Sequence, residues 1–127
     1  MSAAILQGVP ATTLDTDIWI GLPSRQYIRV NSLCRELGAT ILANTVAALS
    51  DDTLVNFLYR IDGIASFSTE MRRAPRLDWF GLRVPVLRLE SIIKSKTFCG
   101  REKDLAHLPI LRQTLRLGTR PNPNSLK

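Results

Sequence analysis

Apolar positions in this chain fall in short clusters separated by turn residues, and their spacing alternates between helical and extended periods. Residues 3–7 (AAILQ) have the look of a helix end, which Gly8-Val9-Pro10 stops. Residues 15–20 (DTDIWI) are rich in β-branched and aromatic side chains and predict a strand closed by Gly21. On that strand Asp15, Asp17 and Trp19 share one face, and Ile18 and Ile20 the other. Pro23 and Ser24 open a predicted helix to about Gly38, with Tyr27, Val30, Cys34 and Leu37 as its buried stripe. Residues 39–49 and 53–59 predict two strands joined as a hairpin at Ser50-Asp51-Asp52.

Farther on, Ser66 or Ser68 caps a short helix through Arg73. Two short strands follow, with Phe80-Gly81 as the turn into the second, residues 82–87. Residues 89–97 predict a helix that Gly100 interrupts; helix resumes from Asp104, and Pro109 is expected to kink or restart it. Strands mixed with helices in this order give an α/β or α+β domain over residues 1–117, and the Pro- and Asn-rich residues 118–127 predict a disordered tail.

Length and composition narrow the class without deciding the function. A chain of 127 residues with 45% hydrophobic and 22% charged residues is an ordinary globular composition for one small domain. No apolar run reaches the roughly 18–20 residues of a membrane span, and no basic n-region leads an apolar segment, so no membrane partner and a cytoplasmic location are expected. The formal charge of +6 and a pI near 10.0 favour a polyanionic partner such as nucleotide, RNA or DNA. Cys34 and Cys99 form no C-x-x-C pair, and His107, the one histidine, cannot complete a zinc cluster with them. Neither a G-x-x-x-x-G-K-[ST] loop nor a G-x-G-x-x-G is present, which leaves phosphate-loop and dinucleotide readings without support.

The chemistry-bearing feature is the D-x-D of Asp15 and Asp17. Two carboxylates on one strand face lie roughly 6–7 Å apart at the backbone, since a strand rises about 3.3 Å per residue. Their side chains can converge on one or two Mg2+ ions, which prefer oxygen ligands and take carboxylates together with substrate phosphates. A bare D-x-D is more often a pair of solvated aspartates at a strand edge.

The surrounding residues sharpen this. Gly8-Val9-Pro10-Ala11-Thr12-Thr13-Leu14-Asp15-Thr16-Asp17-Ile18 resembles the G-V-P-R-x-T-x-D-x-D-[ILV] signature of small bacterial nucleotidyltransferases, the minimal and abortive-infection toxin types among them. A second block, Leu87-x-Leu89-Glu90-x-Ile92-Ile93-x-x-Lys96 then Gly100-Arg101-x-Lys103-Asp104-Leu105, is similar to the same family's V-L-x-L-E-x-L-I-x-x-K…G-R-x-K-D-L segment, and Gly63-Ile64-Ala65-Ser66-Phe67 resembles the link between them. The resemblance spans roughly residues 3–115. It implies a mixed sheet flanked by helices and transfer of a nucleoside monophosphate from a nucleoside triphosphate to a hydroxyl on a protein, a small molecule or an RNA 3′ end. It also implies Asp15 and Asp17 as the catalytic, Mg2+-binding carboxylates, and a cognate antitoxin as a partner. Lys96 matches the lysine that would contact the triphosphate, with Arg101 and Lys103 as further phosphate or acceptor contacts; a solvated basic helix face is the other reading of all three. Thr13 matches the motif threonine and equally suits a turn-stabilising hydroxyl.

Three departures bear on activity. The family's Gly-Gly or Gly-Ser pair would fall at or just before Met1, as though the chain began inside that motif through a misplaced start or a truncated gene. Ala11 stands where an arginine is common. The third carboxylate, an aspartate in a V-D-F-L segment, is Asn56 in Leu54-Val55-Asn56-Phe57-Leu58, and a neutral amide cannot serve as a general base. Asp62, six residues on, would sit about 20 Å farther along an extended strand. The alternative function is therefore a non-catalytic nucleotide- or partner-binding module on a degenerate nucleotidyltransferase fold. A sheet edge left open by a missing first strand would favour a homo-oligomer.

Overall fold

The computed structural model describes residues 1–118. In chain order its elements are α1 (Ser2–Leu6), β1 (Asp15–Trp19), a 3₁₀ turn (Ser24–Gln26), α2 (Tyr27–Glu36), β2 (Thr40–Ala43), β3 (Val46–Ala48), β4 (Leu54–Leu58), α3 (Phe67–Arg73), β5 (Arg76–Trp79), β6 (Leu82–Pro85), α4 (Leu89–Cys99) and α5 (Glu102–Leu117). Helices thus combine with a mixed four-stranded sheet and a separate two-stranded one, the α/β class that the alternation predicts. The chain divides into two compact units, one of Met1–Ser2 with Thr12–Ile61 and one of Ala3–Ala11 with Asp62–Lys127. The expected tail, beyond Gly118, lies outside the described residues.

The first unit holds the four-stranded sheet, in the order β1-β4-β3-β2. β1 and β4 run parallel with Asp15 opposite Leu54, Asp17 opposite Asn56 and Ile18 opposite Phe57; the other neighbours are antiparallel. Paired residues share a face, so the sheet sorts its side chains by parity. Ala47, Val55 and Phe57 are buried on one face, with Ile20, Ile41, Tyr59 and, from α2, Val30 and Cys34 packed against them. Asp15, Asp17 and Asn56 have the opposite parity.

Two expectations in this unit are corrected. Residues 39–49 form two strands, because Asn44-Thr45 turns the chain between β2 and β3. The expected β3–β4 hairpin does form, with Asp52 at φ 68 and the Asp51 carboxylate accepting the Thr53 N–H at 3.0 Å. The α2 stripe also differs. Leu37 is 77% exposed, just past the helix, while Asn31 is only 5% exposed.

The second unit packs helices and a hairpin. Ser66 caps α3, its hydroxyl accepting the Thr69 N–H at 3.3 Å. Gly100 ends α4 in the left-handed conformation, φ 63, and returns the chain into α5. Gly63, at φ 84, has Phe98 so close that an added Cβ would lie 2.5 Å from the Phe98 Cβ. Pro109 does not break the last helix: α5 runs continuously through it, with Leu108 and Leu111 buried on either side. The missing N–H of a proline forfeits one hydrogen bond, and burial of the flanking leucines holds the helix together. No helix among the described residues is long and apolar enough to cross a membrane.

The β5–β6 hairpin turns on Phe80-Gly81, both at positive φ, 50 and 82, as a two-residue type I′ connection requires. Asn, Asp and Gly are the residues that usually stand there. A bulky side chain in the left-handed region costs about 1–2 kcal/mol.

Candidate functional site

Parallel pairing of β1 with β4 brings three polar side chains of distant sequence together. The Asn56 side-chain amide donates to Asp15 Oδ2 at 3.1 Å and to Asp17 Oδ1 at 3.2 Å. With carboxylates on both sides, only the NH2 end of the amide satisfies both partners, which fixes its orientation. Asn56 thus stands beside both aspartates and clasps them by hydrogen bonds.

β1 is an edge strand. Its outward Asp17 N–H donates to Ser2 Oγ at 3.1 Å, and the Met1 amino group lies 3.3 Å from Asp17 Oδ2. Thr13 acts locally: its hydroxyl donates to the Asp15 carbonyl at 3.2 Å and accepts the Asp15 N–H at 3.4 Å, a turn bond that fixes the entry into β1. Ser2 was not foreseen as a neighbour of the carboxylates, because nothing in a one-residue hydroxyl identifies its partner fifteen residues away.

Among the described residues no three His, Cys, Asp or Glu side chains gather as a metal group. Asp15 and Asp17 nonetheless supply the oxygen donors that one magnesium ion takes alongside substrate phosphates. Rotating the Asn56 amide by half a turn adds a neutral carbonyl oxygen, and among the described residues no third carboxylate joins them for a second ion. Asp62 does not take that place. β4 ends at Leu58, and Asp62 belongs to the turn at Gly63 in the second unit.

Lys96, Arg101 and Lys103 all belong to the second unit, on α4 and around the start of α5. Lys96 Nζ donates to Asp104 Oδ1 at 3.3 Å and lies 3.2 Å from His107 Nδ1, which accepts from it as a neutral imidazole. Arg101 Nε donates to Asp104 Oδ2 at 2.7 Å. Asp104 is 2% exposed. Burial pushes its carboxyl upward, but the Arg101 and Lys96 hydrogen bonds outweigh that and hold it below the usual carboxylate range. His107 is held below its usual value by burial and by the Lys96 ammonium. Lys96 and Arg101 therefore have a structural partner inside their own unit, whereas Lys103 is exposed.

A further buried polar cluster escaped the sequence reading. Glu70 on α3 accepts from the Ser91 hydroxyl of α4, and Arg88 Nε donates to the same hydroxyl at 3.0 Å. A lone glutamate in a short helix gives no signal of this; its partners come from another element.

Comparison with known proteins adds no relative: no family model matches the chain, and neither a curated protein nor a solved structure matches it.

Proposed function

We propose that the chain is a nucleotidyltransferase-type domain that takes a magnesium nucleoside triphosphate on Asp15 and Asp17 and passes a nucleoside monophosphate to a hydroxyl acceptor. What supports the reading is the meeting of Asp15, Asp17 and Asn56 on one sheet face, at the positions where the resembling family carries its acids. A bound magnesium would offset phosphate charge as pyrophosphate leaves. The acceptor oxygen bonds to the α-phosphorus, the bond to the β-phosphate bridge breaks, and the acceptor proton passes to solvent, because Asn56 cannot take it. Transfer by this chain is accordingly slow, and Asn56→Asp accelerates it. The acceptor is a protein side chain, a small molecule or an RNA 3′ end.

Calorimetric titration with each of the four magnesium nucleoside triphosphates tests the binding step, with Asp15→Ala/Asp17→Ala as control. Binding that vanishes in the control supports the site. No binding to any of the four sinks it. A second reading, a nucleotide-binding module without transfer, is favoured by the Asn56 amide and the Met1 amino group, which already partner the two carboxylates. It predicts binding with no pyrophosphate release from either the wild type or Asn56→Asp.

A further inference from the structure

The second unit carries thirteen Lys and Arg against six Asp and Glu, a formal +7, while the first carries four against five, −1. The basic excess of the chain is thus confined to one unit. Within it, the β5–β6 hairpin joins charge to exposed aromatic surface. Strand pairing puts Arg76, Asp78 and Arg83 on one face, and Leu77, Val84, Trp79 and Leu82 on the other. Leu77 and Val84 are half-buried at the base of the hairpin. At its tip Phe80 is 91% exposed and Leu82 65%. The Trp79 and Phe80 rings meet at 5.5 Å between centroids with their planes tilted by 56°.

Nothing in the fold needs a phenylalanine at the tip. The ring is almost wholly in water, and its backbone holds a left-handed conformation that suits Asn or Gly better. A residue that is both strained and exposed points to function at that position. The surroundings say which kind. Arg76 and Arg83 are exposed on the hairpin, Arg83 lies 3.5 Å from Asp78, and Arg72 and Arg73 are exposed at the end of α3 just before it. Exposed rings accept stacked bases of any sequence, and a basic surface follows the phosphates.

We infer that the tip of the β5–β6 hairpin is a stacking site for single-stranded RNA, with a base on Phe80 and phosphates on Arg76, Arg83, Arg72 and Arg73. The site rests on the second unit alone and stands or falls apart from nucleotide transfer.

The test uses the full chain and a fluorescein-labelled 15-nucleotide single-stranded RNA of mixed sequence, read by anisotropy. In a Trp19→Phe background the emission of Trp79, whose ring meets that of Phe80, reports a base arriving at the tip. Phe80→Asn is the decisive variant, since Asn suits this turn position and the fold is expected to keep or raise its melting temperature. RNA binding should nevertheless weaken roughly tenfold in Phe80→Asn, from loss of one stacked base. Wild-type binding should quench Trp79, and Arg76→Ala/Arg83→Ala should flatten the slope of log affinity against log salt by about 1.4. Equal binding by wild type and Phe80→Asn would overturn the stacking site. So would unchanged Trp79 emission, equal affinity for a duplex of the same sequence, or no RNA binding at low salt. A Trp79 response to phosphatidylserine vesicles and not to RNA would reassign the tip to a lipid surface and overturn it equally.

Discussion

The two units treat their polar groups in opposite ways. In the second, each buried ionisable side chain is answered: Asp104 by Lys96 and Arg101, Glu70 by Ser91 and Arg88. In the first, two carboxylates share a single neutral amide, with the Met1 amino group also beside Asp17, and the buried Asn31 Oδ1 and Tyr59 hydroxyl lack a hydrogen-bond partner among the described residues. Burying a polar atom without a partner costs about 1–3 kcal/mol, so the first unit carries a cost that the second avoids. The contrast separates charges that hold helices together from charges gathered for something else. Lys96 and Arg101 brace a helix pair through Asp104, whereas the side chains of Asp15 and Asp17 meet the Asn56 amide and the Met1 amino group.

The sharpest way to break that contrast is to remove the centre of the second unit's network. Asp104→Ala leaves the largely buried Lys96 ammonium without its carboxylate, and urea unfolding should show a loss of about 3 kcal/mol. Hydrogen exchange should locate the loss in α4 and α5. A cost below about 1 kcal/mol, the range of an exposed pair, would mean that the network does no more than surface ion pairs do, and the contrast would fall.

Next in size is Gly63→Ala, which separates packing from electrostatics in the same unit. The added Cβ meets the Phe98 Cβ and Cγ at 2.5 and 2.7 Å, and the backbone is at φ 84. Strain and overpacking together should cost about 2–3 kcal/mol in thermal melts. Phe98→Ala in that background removes the Cγ contact and keeps the Cβ contact, so it should return only part of the packing share and leave the backbone share, which no neighbour can relieve. A double variant no better than the single one would show that α4 shifts freely.

How much of this was legible follows from where each signal lay. The parity of Asp15, Asp17 and Trp19 is local, and β1 formed where strand residues and Gly21 marked it. The α3 cap, at Ser66 of the two serines that offered it, and the break at Gly100 are equally local. Errors arose where a distant element decides. Asn31 is buried in place of Leu37 because position in the fold, not hydrophobicity, sets the inward face of a helix that ends at Glu36. Pro109 stays helical because Leu108 and Leu111 bury around it. The bond of Lys96 to Asp104 becomes visible only once Gly100 folds α5 back against α4.

In the first unit, Asn56→Asp turns the shared amide into a third acid. Two hydrogen bonds of about 0.5–1.5 kcal/mol each are lost and three carboxylates converge, so the variant should melt lower without added cation. Millimolar Mg2+ should then raise its melting temperature more than that of the wild type, because an ion that binds only the folded state stabilises it by mass action. Asp15→Ala in the same background should erase the difference. An Asn56→Asp protein indifferent to Mg2+ would mark Asp15 and Asp17 as a solvated edge pair.

The smallest effect is also the most specific to the second unit. His107 has its pKa depressed by burial and by Lys96, so its neutral form favours folding. That contribution is complete above the ordinary histidine value of about 6.5 and is lost as pH falls through the lower folded value. Asp104 is depressed as well, so its share is complete above the ordinary value of about 3.9 and is lost as pH falls through its own folded value. Stability of α4 and α5 should therefore fall in two stages on acidification, the first worth under about 1 kcal/mol, the size of one neutral hydrogen bond. His107→Ala should remove the first stage and spare the second, and Asp104→Asn should do the reverse.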